Sequence, residues 1–223
     1  MGILVDYIQI RHSPEQVDVL REKKIRFTQP CFLNDPFEFT PGMPNVYGHH
    51  QTWVGNRRAT TFGEKARQCG VLSLPQKNNS IPMWAHYAAS HAGFAIGFDT
   101  GSSFLRKAIE DRKLHPVRYL PERVSLTGLE NPDAILVTKS TEWHYEEEWR
   151  WIECCSPDEY DEVRSAPNGE VLYLRSIPPQ CIQEVVLGYR IEPCLAELIR
   201  APQVNRRLQT PESVHCDSRQ EPL

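Results

Sequence analysis

Residues 144–155 read HYEEEWRWIECC, and the fold class is inferred first from this stretch. Its residues alternate in character with a period of two, which predicts a β-strand over the whole stretch. One face of the strand is expected to carry three charged residues: Glu146, Glu148 and Arg150. The opposite face is expected to carry one acid and three aromatic residues: Tyr145, Glu147, Trp149 and Trp151.

Further elements are predicted on both sides of this strand. The other predicted strands are residues 25–28, 69–74, 94–98, 117–119, 171–174 and 182–187. The predicted helices are residues 13–24, 80–89, 102–113 and 192–201. Several strands with few helices between the late ones favour an α+β fold, with a mixed, largely antiparallel sheet flanked by a few helices. No repeat or composition break is visible, so we expect one globular domain over residues 1–203 and a C-terminal extension over residues 204–223.

The composition limits the classes of protein to consider. The chain has 223 residues, 40% of them hydrophobic, with a formal net charge of -4 and 18 prolines spread along its length. These values suit one compact domain and exclude a disordered acidic tail or a coiled coil. No stretch approaches the roughly 18 to 20 apolar residues of a membrane span, and no secretory signal is visible at the N-terminus. We therefore expect a cytoplasmic protein without a membrane partner.

The cysteines indicate neither a disulfide framework nor a zinc site. There are 7 of them, an odd number, and no CxxC pair occurs. Regular spacing of that kind is what a zinc ribbon or a small disulfide scaffold needs. We predict that most of the cysteines are reduced and buried as small hydrophobic side chains.

Three segments combine aromatic residues with groups that titrate or form hydrogen bonds: residues 32–38, 83–94 and 143–150. A cleft that binds a flat polar ligand needs such residues, because rings stack and carboxylates and imidazoles orient. Each segment also has a simpler explanation. The acids near Arg150 fit an exposed row of charges, and Asn34 with Asp35 fits a turn. His86 fits a packed core histidine, and Trp84 with Tyr87 fits core packing at helical spacing.

Several familiar catalytic motifs are missing from the sequence. It contains no HExxH pair, since His86 and His91 lie five positions apart, and we predict no metal site. It also lacks a GxSxG elbow and a glycine-rich phosphate loop. These absences remove α/β-hydrolases, dinucleotide dehydrogenases and P-loop NTPases from consideration.

Taken together and in order, the three segments resemble an uncharacterised bacterial family of domains of unknown function. The pattern of that family runs FNDPFE, then MW-HYA-H-GF-IGFD, then K…W-YE-EWR, and closes with I-VLG. The matching positions here are residues 25–27, residues 33–38 with Leu33 in place of the usual phenylalanine, residues 83–99, Lys139, Trp143, Tyr145, Glu146, residues 148–150 and residues 185–188. The family carries no known reaction, so the resemblance implies no function by itself.

The chain is also similar, more distantly, to the ADP-ribosyltransferase superfamily. The matching pieces are residues 7–11, the segment with Trp84, His86 and Tyr87, and the late Glu146-x-Glu148. The resemblance implies a split sheet and NAD as co-substrate, with nicotinamide stacked on Tyr87 or Trp84. It implies three catalytic residues: Glu148, which holds the ribose, His86 and Tyr87. It implies six residues that bind NAD or shape its pocket: Asn34, Asp35, Trp84, His91, Glu146 and Arg150.

On this reading the protein is a bacterial toxin or phage-defence effector that modifies a protein or nucleic acid, with an immunity or antitoxin partner. A carboxylate beside the cation that develops as nicotinamide leaves stabilises the transition state more than the ground state. Two other functions remain open. One is a non-catalytic sensor module that binds a nucleotide or a partner. The other is a metal-dependent nuclease that uses Asp35, Glu146 and Glu148 for a hard cation.

Overall fold

The computed structural model describes residues 5–10, 17–35, 68–122, 132–167, 169–201 and 208–209. The first six strands are β1 (Val5–Ile10), β2 (Lys24–Phe27), β3 (Cys69–Pro75), β4 (Phe94–Asp99), β5 (Leu114–Pro116) and β6 (Arg118–Leu120). The later strands are β7 (Thr138–Ser140), β8 (Glu148–Cys154), β9 (Glu162–Ser165), β10 (Val171–Ser176), β11 (Ile182–Leu187) and β12 (Leu208–Gln209). The α-helices are α1 (Ile81–Tyr87), α2 (Ser103–Glu110) and α3 (Pro193–Arg200). Short 3-10 helices cover Pro30–Phe32, Pro132–Val137, Thr141–Glu146, Pro157–Glu159 and Pro179–Cys181, and a π-helical turn covers Val19–Lys23.

The strands form several small sheets, which are mostly antiparallel. Their strand orders are β1-β4-β11-β12, β2-β10-β9, β3-β8-β5 and β6-β7. Only the β11–β12 and β6–β7 pairs among these described strands are parallel. A bridge between Thr28 and Val71 connects the end of β2 to β3, with backbone hydrogen bonds of 2.9 and 2.8 Å. The predicted α+β class is therefore confirmed.

The main core lies where residues of the three larger sheets meet. Phe27 of β2 packs edge-to-face on Trp151 of β8, with ring centroids 5.4 Å apart. Phe94 of β4 belongs to the same core and is fully buried. Val17 and Leu20, which lie within the helix predicted over residues 13–24, are both buried in this core. The part of that helix before residue 17 lies outside the described residues.

The small-residue face of β4 accepts helix α1 at close range, as its alternation with the bulky face predicts. Ala95 on that face packs with Trp84 and Ala88 in a separate buried cluster. After α1 the chain passes through three residues with left-handed backbone, and His91 has a φ of 71°. The carbonyl of His91 lies so close to Gly188 that a Cβ there would be 2.2 Å away. A residue with a Cβ therefore does not fit at position 188, directly after β11, and glycine is required there.

The prediction of reduced cysteines is wrong for one pair, because Cys69 and Cys154 form a disulfide. These residues are direct partners in the β3–β8 register, with Cα atoms 4.0 Å apart. Because 85 positions separate the two cysteines in sequence, no local spacing pattern predicts that they pair. Four described cysteines are free, and two of these, Cys31 and Cys194, are exposed rather than buried.

The predictions about the location of the protein and about its domain boundary stay open. In the described part of the chain, no helix is long and apolar enough to cross a membrane. The cytoplasmic location stays a prediction. The predicted domain boundary between residues 203 and 204 lies outside the described residues.

Candidate active site

The predicted strand over residues 144–155 is wrong in its first part, and this difference creates the site. Thr141–Glu146 forms a 3-10 helix whose preceding Ser140 accepts a hydrogen bond from the backbone N–H of Glu142 at 3.4 Å. Glu147 follows with left-handed backbone, at a φ of 43°, and β8 begins only at Glu148. The two acids at positions 146 and 148 therefore leave different elements and converge, instead of lining one face of a strand.

The two carboxylates meet at the ammonium group of Lys139 in β7. Its Nζ lies 2.5 Å from Oε2 of Glu146 and 3.3 Å from Oε2 of Glu148. The exposed fractions of the two glutamates are only 3% and 4%. The exposed row of charges considered for this segment is therefore wrong.

Arg150 completes the cluster from the next inward position of β8. Its Nε and Nη2 donate to the two carboxylate oxygens of Glu148 at 2.8 and 3.2 Å. Its Nη1 donates to the carbonyl of Leu136 at 2.9 Å, and the side chain is 1% exposed. We call Lys139, Glu146, Glu148 and Arg150 the charge network. Two anions and two cations balance within it, which is how buried charges are tolerated.

Tyr87 and Asn34 connect the charge network to the surface. The Tyr87 hydroxyl, at the end of α1, donates to Oε1 of Glu146 at 2.7 Å. The amide of Asn34 donates to the same hydroxyl oxygen at 3.3 Å, and Asn34 itself is exposed. Tyr87 is half-buried. A chain of hydrogen bonds therefore runs from the exposed Asn34 through the Tyr87 hydroxyl to one oxygen of the buried Glu146 carboxylate.

The environments of the two carboxylates push their pKa values apart. Burial raises the pKa of Glu146 to about 7; the charge of Glu148 adds to this, while Lys139 opposes it. Burial acts on Glu148 in the same direction, but the charges of Arg150 and Lys139 and its hydrogen bonds lower its pKa to about 2. Divergent values in a carboxylate pair are typical of a site where one group transfers protons and the other stays ionised.

The tyrosines of the site act as neutral hydrogen-bonding groups. Burial raises the pKa of Tyr87 far above its usual value, and the neighbouring Glu146 contributes to the increase. Burial likewise raises the pKa of Tyr119 to about 12. The Tyr119 hydroxyl accepts a hydrogen bond of 2.8 Å from the backbone N–H of Glu148, which fixes the start of β8.

Aromatic rings border the network where α1 faces the 3-10 helix. The Trp143 ring centroid lies 4.7 Å from Nζ of Lys139, close enough for a cation–π contact. The His86 ring lies 6.3 Å from both the Trp143 and the Tyr87 rings, measured between centroids. His86 is exposed, so the packed core histidine considered for it is wrong.

The remaining predicted site residues have other surroundings. Trp84 and His91 form a stacked pair of their own, with centroids 6.3 Å apart. The Trp84 indole N–H donates to the carbonyl of Asn78, and the ring belongs to the core cluster on β4. Asp35 is buried. The structure therefore brings together five of the predicted residues (Asn34, Tyr87, Glu146, Glu148 and Arg150), with His86 beside them.

Sequence reasoning missed the position of Lys139 between the acids. This residue was noted only as part of the family pattern, seven positions before Glu146. Its ammonium group lies between the carboxylates of Glu146 and Glu148.

Among the residues that the structure describes, no group of three or more His, Cys, Asp and Glu side chains is arranged to hold a metal ion.

The raised pKa of Glu146 predicts a specific pH dependence of stability. The folded protein binds a proton at this group between its ordinary pKa of 4.5 and about 7. Its contribution to the free energy of unfolding is therefore fully present below pH 4.5 and is lost as the pH rises through 7. Denaturant unfolding from pH 4.5 to 7.5 should show a decline that is shallower in Glu146→Gln, by up to about 3 kcal/mol over the range.

The matched control for this experiment is Glu142→Gln, since Glu142 is an exposed acid of the same 3-10 helix. Its pH dependence should follow that of the unmodified protein. The stabilising contribution of Glu148, whose pKa is lowered, is fully present above pH 4.5 and is lost only as the pH falls below that value, outside this window. Equal slopes for the unmodified protein and Glu146→Gln would contradict a raised pKa of Glu146 in the folded protein.

Comparison with known proteins relates part of the chain to a family without an assigned activity. Residues 83–151 match the family described as Protein of unknown function (DUF2971). The matched segment contains Tyr87 and all of the charge network, whereas Asn34 lies outside it. No curated protein and no solved structure is significantly similar to the chain. The comparisons thus support an uncharacterised family and lend no support to the ADP-ribosyltransferase resemblance.

Proposed function

We propose that this protein is an ADP-ribosyltransferase-like enzyme that cleaves the bond between nicotinamide and ribose in NAD. The observation that supports the proposal is the hydrogen-bonded pair of Tyr87 and Glu146, at 2.7 Å, held between a buried cation and the surface. The acceptor of the ADP-ribosyl group would be a protein or nucleic acid. The roles of toxin or phage-defence effector, with an immunity or antitoxin partner, belong to the same proposal.

The chemistry of glycosidic bond cleavage explains why such a pair is useful. As the bond from ribose C1′ to the nicotinamide nitrogen breaks, the electron pair leaves with nicotinamide and positive charge develops on the sugar. A preorganised carboxylate stabilises that charge more strongly in the transition state than in the ground state. The attacking acceptor group then loses its proton, and Glu146, with a pKa of about 7, is suited to take it near neutral pH.

The contacts favour Glu146 over Glu148 for the reacting group. Both oxygens of Glu148 are engaged by Arg150, and one of them also contacts Lys139. A carboxylate held in this way keeps its charge and positions Lys139. Both oxygens of Glu146 are engaged too, Oε2 by Lys139 and Oε1 by Tyr87, but Tyr87 is half-buried and connects this carboxylate to the surface. In the proposal Glu148 is therefore a positioning residue, and Tyr87 links the substrate to Glu146.

The surroundings of the pair suit a flat polar ligand. Asn34 supplies an amide at the surface, and the rings of His86 and Trp143 lie on the side where α1 approaches the 3-10 helix. Stacking of a planar nicotinamide on such rings is favourable. Trp84 is less suitable as the stacking ring, because it is buried and packs with His91 and Ala95.

The test is release of nicotinamide from NAD by the purified protein mixed with cell lysate, measured by chromatography. We expect turnover by the unmodified protein and a decrease of about 100-fold or more in Glu146→Gln, since general acid–base groups contribute that much. Tyr87→Phe should retain more activity than Glu146→Gln, because it removes the hydroxyl that bonds Glu146 and Asn34 but leaves the carboxylate in place. Glu142→Gln serves as the matched control and should match the unmodified protein.

Two results would contradict the proposal. The first is that the unmodified, folded protein releases no nicotinamide under any lysate condition. The second is that Glu146→Gln keeps full turnover while its thermal unfolding shows that it is folded. Nicotinamide release that depends on Glu148 but not on Glu146 would restore the role implied for Glu148 by the superfamily resemblance.

A further inference from the structure

A cavity of about 560 Å³ lies beside the edge strand β5 and the 3-10 helix Pro132–Val137. Its described lining contains three basic or imidazole side chains: Lys113, His115 and Arg118. It also contains an apolar wall that includes Leu136, Val137 and Ile152. The volume is within the range of roughly 300 to 1,000 Å³ that small-molecule sites occupy.

The strand register places two of the basic groups side by side. His115 is the direct partner of Arg150 in the β5–β8 pair, and the carbonyl of Lys113 accepts a hydrogen bond from Ile152 N–H. Lys113 directly precedes β5, two positions before His115, and both side chains line the cavity. Arg118 reaches the same cavity from β6.

The acid in the lining is already neutralised. Glu153 is the only acidic residue among the described residues that line the cavity. Its Oε2 accepts hydrogen bonds from Nη2 and Nε of Arg175 at 2.5 and 2.8 Å, and the residue is buried. Lys113 Nζ makes only a longer contact of 3.4 Å with Oε1 of this carboxylate. Because Arg175 already neutralises Glu153, the described lining carries an excess of positive charge from Lys113 and Arg118.

We propose that this cavity binds an organic phosphate. Its phosphate group would lie on Lys113, His115 and Arg118, since guanidinium and ammonium groups form short charge-assisted hydrogen bonds to phosphate oxygens. The organic part would pack against Leu136, Val137 and Ile152. Neither Tyr87 nor Glu146 is among the described residues that line this cavity, and the inference does not depend on the proposed NAD chemistry.

Isothermal titration calorimetry with ADP as the probe tests the proposal. We expect saturable binding of ADP that weakens at least about tenfold in both Arg118→Gln and Lys113→Gln and also weakens with added salt. Lys107→Gln, an exposed lysine of α2, is the charge-matched control and should bind ADP normally.

Three further probes identify what is recognised. Adenosine and inorganic phosphate should each bind much more weakly than ADP, whereas ribose 5-phosphate should bind measurably. Equal binding of adenosine and ADP, or of inorganic phosphate and ADP, would overturn the proposal. It would also be overturned if ADP does not bind at ~1 mM. Unchanged ADP binding in both Arg118→Gln and Lys113→Gln would show that the phosphate group binds elsewhere and would also overturn the proposal.

Discussion

Replacing Arg150 by methionine is expected to lower the free energy of unfolding by about 3 to 5 kcal/mol. Arg150 is 1% exposed and donates three hydrogen bonds, two of them to the carboxylate of Glu148. Methionine retains an unbranched chain but removes the charge. The carboxylate of Glu148 would then stay buried without its principal counter-ion, and the carbonyl of Leu136 would lose its donor.

Two variants make the Arg150 prediction specific. Arg164→Met removes an arginine that is 42% exposed and paired with Glu22 and Glu162, so it should cost less than about 1 kcal/mol. Adding Glu148→Gln to Arg150→Met should recover part of the loss, because the unpaired charge disappears. Denaturant unfolding of the single and double variants measures the coupling. Equal losses in Arg150→Met and Arg164→Met would contradict a buried, balanced network.

Removing the disulfide by Cys69→Ala together with Cys154→Ala is expected to cost about 4 kcal/mol in the free energy of unfolding. The bond closes a loop between residues separated by 85 positions, and this loop includes α1, β4 and the charge network. Opening it increases the conformational entropy of the unfolded chain. Denaturant unfolding of the double variant, and of the native protein with and without a reductant, measures the change.

The control for the disulfide is Cys194→Ala, at an exposed free cysteine near the start of α3. Its stability should be unchanged, and reductant should still destabilise it. Mass spectrometry after thiol labelling of the unreduced protein should leave Cys69 and Cys154 unlabelled. Labelling of both residues, or equal stability with and without reductant, would show that the bond contributes nothing in solution.

Local signals in the sequence were sufficient for most regular elements. The predicted strand over residues 69–74 corresponds to β3, and the predicted strand over residues 182–187 corresponds to β11. Periodicity works here because these segments bury apolar residues in a repeating pattern. It failed at residues 144–147, where acids and aromatic rings alternate without forming a strand. The left-handed Glu147 ends that segment, and no residue type in it announces such a turn.

The candidate site was predictable as a set of residues and not as an arrangement. Tyr87, Glu146 and Arg150 were identified because aromatic and titratable residues cluster around them. Their burial was not predictable, because a charged side chain is stable inside a protein only beside an oppositely charged partner, and here another segment supplies that partner. That partner is Lys139, whose strand β7 pairs with β6 and not with β8.

The sequence by itself determined the α+β class, most strand and helix positions, and the chemical groups available to the site. Tertiary structure alone decided that Cys69 lies opposite Cys154, that Glu148 is held by Arg150 and that Glu146 contacts Tyr87. The reason is physical. Periodicity and capping act over a few residues, whereas strand register, burial and the pairing of charges depend on segments that are distant in the chain.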